Sequence, residues 1–284
     1  MCALIVAGAL QLGAAAAAPT ASPAEVIAAE REFAADAQAR GFVAAFKKYA
    51  APDAIGFQPD PVNIQQSLAG EPDEPANRSL KWWPVWAGIA QSGDIGFTTG
   101  PYTSGEKRFG QYFTVWAKQA DGAWRWIYDG GPGNEAKSTL GPDTNPVHLG
   151  TAIAAAGSAD KAWSDVGKLE STLAVAARKN AKAAYLASLS QDARIMGSPA
   201  QPATDGAARE AELDRRAAIM EFSPLGGRAS QAGDLVFTYG DAKWVRDVEA
   251  HRGHYVRIWQ MRTAGWKLVF DEILSVPPPR KPVP

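Results

Sequence analysis

The chain has 284 residues, 46% of them hydrophobic and 21% charged, a composition typical of folded globular proteins with room for two domains. Lys and Arg (29) almost balance Asp and Glu (30), and the formal net charge of −1 offers no basic field for nucleic acid or an anionic membrane surface. The only cysteine, Cys2, excludes intrachain disulfides and cysteine-ligated metal sites, while ten tryptophans predict large aromatic clusters.

Residues 1–21 read as a signal peptide, with an apolar run from Met1 that fades into small residues by Ala18, although the usual charged leader segment is missing. The expectation is a periplasmic or secreted protein, which would touch a membrane only through an uncleaved signal segment. Ser22-Pro23-Ala24-Glu25 predicts a helix start, with Ser22 as N-cap and Glu25 closing a capping box. Val26, Ile27, Phe33 and Ala34 then form a helical stripe. A short helix with Phe42, Phe46 and Tyr49 follows Gly41, ends at Pro52-Asp53, and leads into a strand over Ala54–Phe57. Residues 58–77 read as loop around a short helix from Val62 to Leu68, and Trp82, Trp83 and Trp86 cluster soon after. A strand from Asp94 to Gly100 is expected to turn at Gly100-Pro101 and lead into a hairpin spanning Gly110 to Asp129. The Gly- and Pro-rich stretch 132–157 reads as a linker. Helices follow from Ala159 to Val175, from Asn180 to Leu189 and from Asp205 to Met220, with strands over Asp192–Met196 and Asp234–Gly240. A second hairpin spans Gly253 to Asp271, and residues 277–284 form a Pro-rich, extended tail.

The two hairpins are copies of each other: each reads Gly-x-Tyr-x-x-x-Trp, then a turn with Gly, then Trp, then Asp. The echo continues outside them. Phe46 to Asp53 matches Tyr185 to Asp192, Pro84 to Asp94 matches Pro224 to Asp234, and Thr98-x-Gly100 matches Thr238-x-Gly240, all in the same order. Landmarks repeated in order identify a duplication, with domains at 22–131 and 158–276.

The run Gly93-Asp94-Ile95-Gly96-Phe97-Thr98-Thr99-Gly100, followed by Gly110-x-Tyr112-x-x-x-Trp116 and Asp121-Gly122-Ala123-Trp124, resembles the domain of unknown function 4440. That family lies in the SnoaL-like, nuclear transport factor 2-like superfamily. The second half is more divergent and keeps Gly233-Asp234, Tyr255, Trp259, Trp266 and Asp271. The resemblance implies two tandem cone-shaped α+β domains, each a curved antiparallel sheet wrapped round helices. It also implies an intrachain pseudo-dimer, because single-domain members often pair through their sheets. Members include ketosteroid isomerase, scytalone dehydratase and limonene epoxide hydrolase, alongside many non-enzymes.

Period two places Tyr112, Thr114 and Trp116 on one face of the first hairpin and Phe113 and Val115 on the other. The second copy sets Tyr255, Arg257 and Trp259 against Val256 and Ile258. The purely apolar face is expected to face the core, and the amphipathic face a pocket mouth or a sheet-to-sheet contact. The halves differ most at Trp82, Trp83 and Trp86, which points to a pocket in the first half alone.

Three functions are open. The first cone could bind a small apolar or aromatic molecule through Trp82, Trp83, Trp86, Tyr112 and Trp116. It could be a cofactor-independent lyase, isomerase or hydrolase, with Asp53, Tyr128 or Asp129 as acid or base. Or both cones could be filled with side chains and serve as structural or partner-binding modules. The bland role for Asp53 and Asp192 is local capping, and for Asp129 and Asp271 a backbone or Arg partner. No acid/base set of the ketosteroid isomerase or epoxide hydrolase kind is recognisable. No metal or cofactor is expected: His251 and His254, three apart on a strand, face opposite sides, His148 lies in the linker, and no Gly-rich phosphate loop occurs.

Overall fold

The first half begins with α1 (Ala24–Arg40) and α2 (Phe42–Tyr49), which meet at Gly41, whose φ of 93° lets the chain turn sharply between them. The computed structural model describes residues 21–73, 75, 79–150, 152 and 157–278, so the signal-peptide reading falls almost wholly outside the described residues. Ser22 Oγ accepts from Ala24 N, but the helix starts one residue later than expected and no capping box closes. Glu25 instead reaches Lys118 and Trp124 across the domain.

After α2 come β1 (Ala50–Phe57), β2 (Pro61–Asn63), α3 (Ile64–Leu68), β3 (Leu80–Trp82), β4 (Trp86–Ile89), β5 (Ile95–Ser104), β6 (Arg108–Lys118) and β7 (Trp124–Gly130). Two boundaries differ from the sequence reading. Pro52-Asp53 lies inside β1 rather than ending a helix, and β5 runs straight through Gly100-Pro101. No turn is needed at Gly100. The glycine is there because a Cβ would sit 1.9 Å from the Trp83 carbonyl oxygen, where β5 passes under the neighbouring backbone. The linker is woven into the first sheet by β8 (Gly133–Asn134), which pairs with β6, and β9 (Val147–His148), which pairs with β4.

The second half repeats the plan. It contains α4 (Ala159–Ser188), β10 (Leu189–Met196), α5 (Gly206–Arg215), β11 (Met220–Ala229), β12 (Leu235–Arg246), β13 (Glu249–Arg262) and β14 (Gly265–Ser275). The expected break before residue 181 is present as a kink: Asn180 leaves helical geometry, and its side chain accepts from Ala183 N to start the next helical segment. The charged helix from Asp205 is shorter than its pattern, because Met220 already opens β11.

The first sheet runs β2-β1-β7-β6-β5-β4-β9 and the second β10-β14-β13-β12-β11. Pairing is antiparallel except for β1 with β7, β4 with β9 and β10 with β14, so the sheets are mixed rather than purely antiparallel. Both hairpins carry a register shift at the same place, between Val115 and Trp116 and between Ile258 and Trp259. Such bulges bend and twist a sheet, and each sheet here curls round its helices. The chain is therefore two tandem cone-shaped α+β domains, each a curved sheet wrapped round helices.

The amphipathic hairpin face takes the first of its two expected places, at a pocket, while the purely apolar face meets the other sheet rather than the inside of the cone. Tyr112, Thr114 and Trp116 face the inside of the first cone, where Trp116 meets Phe33 of α1 at 6.1 Å. The purely apolar face instead meets the other domain: Phe113 stacks on Phe270 at 3.6 Å and 7°. The cone interior holds Glu30, a carboxylate to which the Trp116 indole donates, and Phe113 and Val115 have no polar group that needs such a partner. At the edge of that contact Gln91 N donates to Asp234 Oδ2 (2.9 Å) and Gln231 N to Asp94 Oδ2 (3.0 Å). Corresponding residues of the two halves thus bond each other reciprocally, as across a two-fold interface.

Candidate functional site

Inside the first cone, Glu30 sits on the buried face of α1 with no solvent exposure. It accepts hydrogen bonds from Trp82 Nε1 (2.6 Å), Thr98 Oγ1 (2.5 Å) and Trp116 Nε1 (3.1 Å). Burial raises its carboxyl above the usual range despite those donors. Next to this hub a chamber of about 550 Å³ opens between α1, α2, α3 and the sheet. Phe33, Phe42, Phe46, Phe57 and Trp82 form its aromatic walls, and Gln58, Ser104 and Arg108 also line it.

Two polar groups enter the chamber from adjacent strands. Asp129, at the end of β7, accepts from Thr114 Oγ1 at 2.6 Å and has no cationic partner among the described residues. Burial, and then the charge of Glu30, push its carboxyl up to about 8. Tyr112 lines the same wall, and its hydroxyl makes no hydrogen bond among the described residues. Burial also holds that phenol well above its ordinary value, so it stays a proton-bearing donor. Beside Gln58, Ser104 and Arg108, the chamber therefore offers an aromatic enclosure, one carboxyl that is mainly neutral at pH 7, and one phenol with no hydrogen-bond partner among the described residues.

The second cone contains the same framework in a different state. Glu170 of α4 takes the place of Glu30 and accepts from Thr238 Oγ1 (2.7 Å) and Trp259 Nε1 (2.7 Å). Tyr255 and Asp271 take the places of Tyr112 and Asp129. Where the first domain has Thr114, however, the second has Arg257, which is fully buried. Its guanidinium bonds Glu170 (2.5 Å), Asp271 (2.8 Å) and Tyr185 Oη (2.9 Å), and lies 4.3 Å from the Phe222 ring centroid. Arg216 adds a second ion pair to Asp271. A side chain that fills the space and neutralises both carboxylates turns the duplicated chamber into a core. A cleft of about 490 Å³ remains above it, lined by Arg216, Met220 and Trp244.

Of the residues singled out from the sequence, Trp82, Tyr112 and Asp129 line the first chamber, and Trp116 lies behind it against Glu30. The others do not line it. Trp83 donates to the Leu140 carbonyl in the linker at 3.2 Å, and Trp86 packs on Phe97 at 4.8 Å, outside the cone. Asp53 forms a surface ion pair with Arg228 of the other half (2.5 Å). Tyr128 points into the contact between the sheets, where it donates to Glu272 Oε1 at 2.6 Å. His251 stacks on Trp244, while His254 is buried beside Asp60 and Asp241. Among the described residues no group of three or more His, Cys, Asp and Glu is placed to hold a metal ion.

Glu30 and Glu170 were not singled out from the sequence. The signal was present: each is a carboxylate inside an apolar stripe, Glu30 between Ile27 and Phe33, and Glu170 between Val166 and Leu173.

No protein-family model matches the sequence, and no curated protein matches it closely enough to count as a relative. Solved structures that resemble parts of it include a nuclear transport factor 2-like protein of unknown function from Pseudomonas putida. That match has 13% identity and a TM-score of 0.36, covering 44% of this chain and 93% of that one. A nuclear transport factor 2-like protein from Cytophaga hutchinsonii has 13% identity and a TM-score of 0.33, covering 40% of this chain and 98% of the other. A conserved protein from Planctomyces limnophilus has 18% identity and a TM-score of 0.35, covering 42% and 99%. Each of these matches covers less than half of this chain.

Proposed function

We propose that the first domain is a binding chamber for a small, uncharged, mainly apolar molecule that carries one oxygen function, and that the second domain is its filled structural counterpart. One observation carries this reading: the same buried carboxylate framework occurs twice, plugged by Arg257 in one cone and left open around Asp129 and Tyr112 in the other. Aromatic walls favour an aromatic or alicyclic body. A neutral carboxyl and a free phenol favour a carbonyl or hydroxyl, and an anion is disfavoured by Glu30 behind them. Export of the chain, read from its first residues, belongs to the same proposal, as does the SnoaL-like relationship carried by the motif residues.

The test is a tryptophan-emission screen of neutral aromatic ketones and phenols at pH 6, on the wild type and on Trp82→Ala and Asp129→Asn. The reading requires saturable changes in the wild type that weaken in both variants. A screen in which no compound changes emission or melting temperature removes its support.

A second reading, proton-transfer catalysis in the same chamber, is favoured by the position of Asp129's pKa. A group near 8 in an apolar setting can take and return a proton close to neutral pH, and Tyr112 could hydrogen-bond the oxygen that gains charge. Exchange of the α-protons of a bound ketone in deuterium oxide, followed by proton NMR, tests it. Exchange no faster with the wild type than with Asp129→Asn would rule it out.

A further inference from the structure

A second cavity, distinct from the chamber, lies where the two domains and the linker meet. It measures about 260 Å³, small for a ligand cavity, and is lined from Val85 just before β4, from β5, β6, β10 and β14, from the loop after β10, and from the linker. Arg194 of β10 enters it with its guanidinium carbon 4.6 Å from the centroid of the Trp86 ring. Unlike Arg257 and Arg216, which are held by carboxylates, Arg194 has no ion pair or hydrogen bond from its side chain among the described residues. Burial draws its pKa down to about 10, with no acidic neighbour among the described residues to offset it. It stays charged at neutral pH, so the cavity holds a half-buried cation whose contact among the described residues is an aromatic face.

The framework does not demand this arginine. Arg194 pairs with Phe270 in the register where the first domain pairs Ile55 with Tyr128, so the duplicated fold accepts an aliphatic residue at that point. Keeping a half-enclosed, unpaired charge there costs stability, and an anionic partner would offset the cost. The rest of the lining defines that partner. Thr139 and Thr204, both exposed, bring hydroxyls to its rim, while Met196 and Phe270 supply apolar surface. Planar bidentate recognition by a guanidinium suits a carboxylate, and the apolar walls suit a compact hydrocarbon body over a hydrated inorganic anion.

We propose that this cavity is a site for a small aromatic or branched aliphatic monocarboxylate, held by Arg194 against Trp86. It is independent of the chamber in the first cone, which takes an uncharged molecule. The linker forms part of its wall, so the site exists only in the tandem arrangement.

The test is isothermal titration calorimetry of the full chain with benzoate, its neutral isostere benzamide, and inorganic phosphate. Benzoate is expected to bind with one-to-one stoichiometry, with benzamide and phosphate each weaker by about tenfold or more. Arg194→Gln is expected to weaken benzoate by about tenfold or more as well. It should melt no lower than the wild type without ligand, because it breaks no ion pair. Should that variant fail to fold, Arg194→Lys and the benzoate-to-benzamide ratio on the wild type still decide the matter, since a charge without the planar fork also predicts loss. No benzoate heat up to about 10 mM, benzoate and phosphate binding alike, or affinity indifferent to Arg194 would each overturn the proposal. Benzoate binding that is abolished by Thr114→Arg but not by Arg194→Gln would place benzoate in the first chamber, overturning this site and leaving the chamber reading intact.

Discussion

Replacing Asp129 by Asn keeps an acceptor for Thr114 but removes a titrating group, which makes the burial of this carboxyl measurable. Folding raises its pKa from 3.8 to about 8, so between those values the folded chain holds a proton that the unfolded chain has released. Stability then falls as pH rises across that window, by about 1.4 kcal/mol per pH unit for a full shift. From pH 5 to pH 7 the loss is about 2.7 kcal/mol at most, and water entering the chamber reduces it to about 1.5–2.5 kcal/mol. Glu272, raised to about 8 by burial between the sheets, contributes a decline of the same sign that the variant retains. Urea unfolding of both proteins at pH 5, 6 and 7 is the assay. The Asn variant is expected to lose about 1.5–2.5 kcal/mol less than the wild type over that interval. Equal declines in the two proteins would show that Asp129 titrates normally, and the account of a neutral carboxyl in the chamber would be wrong.

Four further outcomes follow from the same contacts. Arg257→Thr leaves Glu170 and Asp271 buried without their shared cation and should destabilise the chain by about 3–5 kcal/mol in urea unfolding; a loss under about 1 kcal/mol would mean the plug is not structural. Phe270→Ala removes the stack on Phe113 and should cost about 3–4 kcal/mol, read as a lower thermal midpoint; an unchanged midpoint would contradict the close packing of the two sheets. Tyr128→Phe deletes the donor to buried Glu272 and should cost about 1–3 kcal/mol at pH 6, with little effect on ligand binding in the chamber, since Tyr128 faces the other sheet. Trp82→Ala should cost about 3–5 kcal/mol and also weaken chamber ligands; normal stability would show that Trp82 neither packs against Phe33 nor supports Glu30.

The duplication and both hairpins were legible because period-two alternation round a Gly turn is a local signal that survives divergence, and it occurs twice in this chain. A place at a pocket was one of two alternatives read for the amphipathic hairpin face, but that the apolar face meets the other sheet was not legible. Both faces are buried, and alternation separates faces without saying what covers each. Asp129 could be named as a candidate from its position at a strand end, but Asp53 and Tyr128 looked equivalent to it. Only the tertiary arrangement separates an aspartate in a chamber from one on a surface ion pair. Glu30 and Glu170 were hidden for another reason: a single charged residue in a helical stripe is easily passed over, although its place among Val26, Ile27 and Phe33 marks it as buried. Trp83 and Trp86 lie close to Trp82 in sequence but turn away from the cone as the chain passes from β3 to β4. The substitution that separates the two halves, Thr114 against Arg257, was visible in the aligned hairpins, but its meaning required the carboxylates on either side of it.

That substitution also gives the most direct test of the central claim that one duplicated cone is open and the other plugged. Thr114→Arg carries the plug of the second domain into the first, where Glu30 and Asp129 would receive it. Ligand-observed NMR with a neutral aromatic ketone such as acetophenone, on wild type and variant with matched far-ultraviolet circular dichroism, measures the result. The account predicts saturable binding to the wild type, no binding to the variant, and a higher melting temperature in the variant as its carboxylates gain a cation. Binding undiminished in Thr114→Arg, or absent from the wild type, would contradict it.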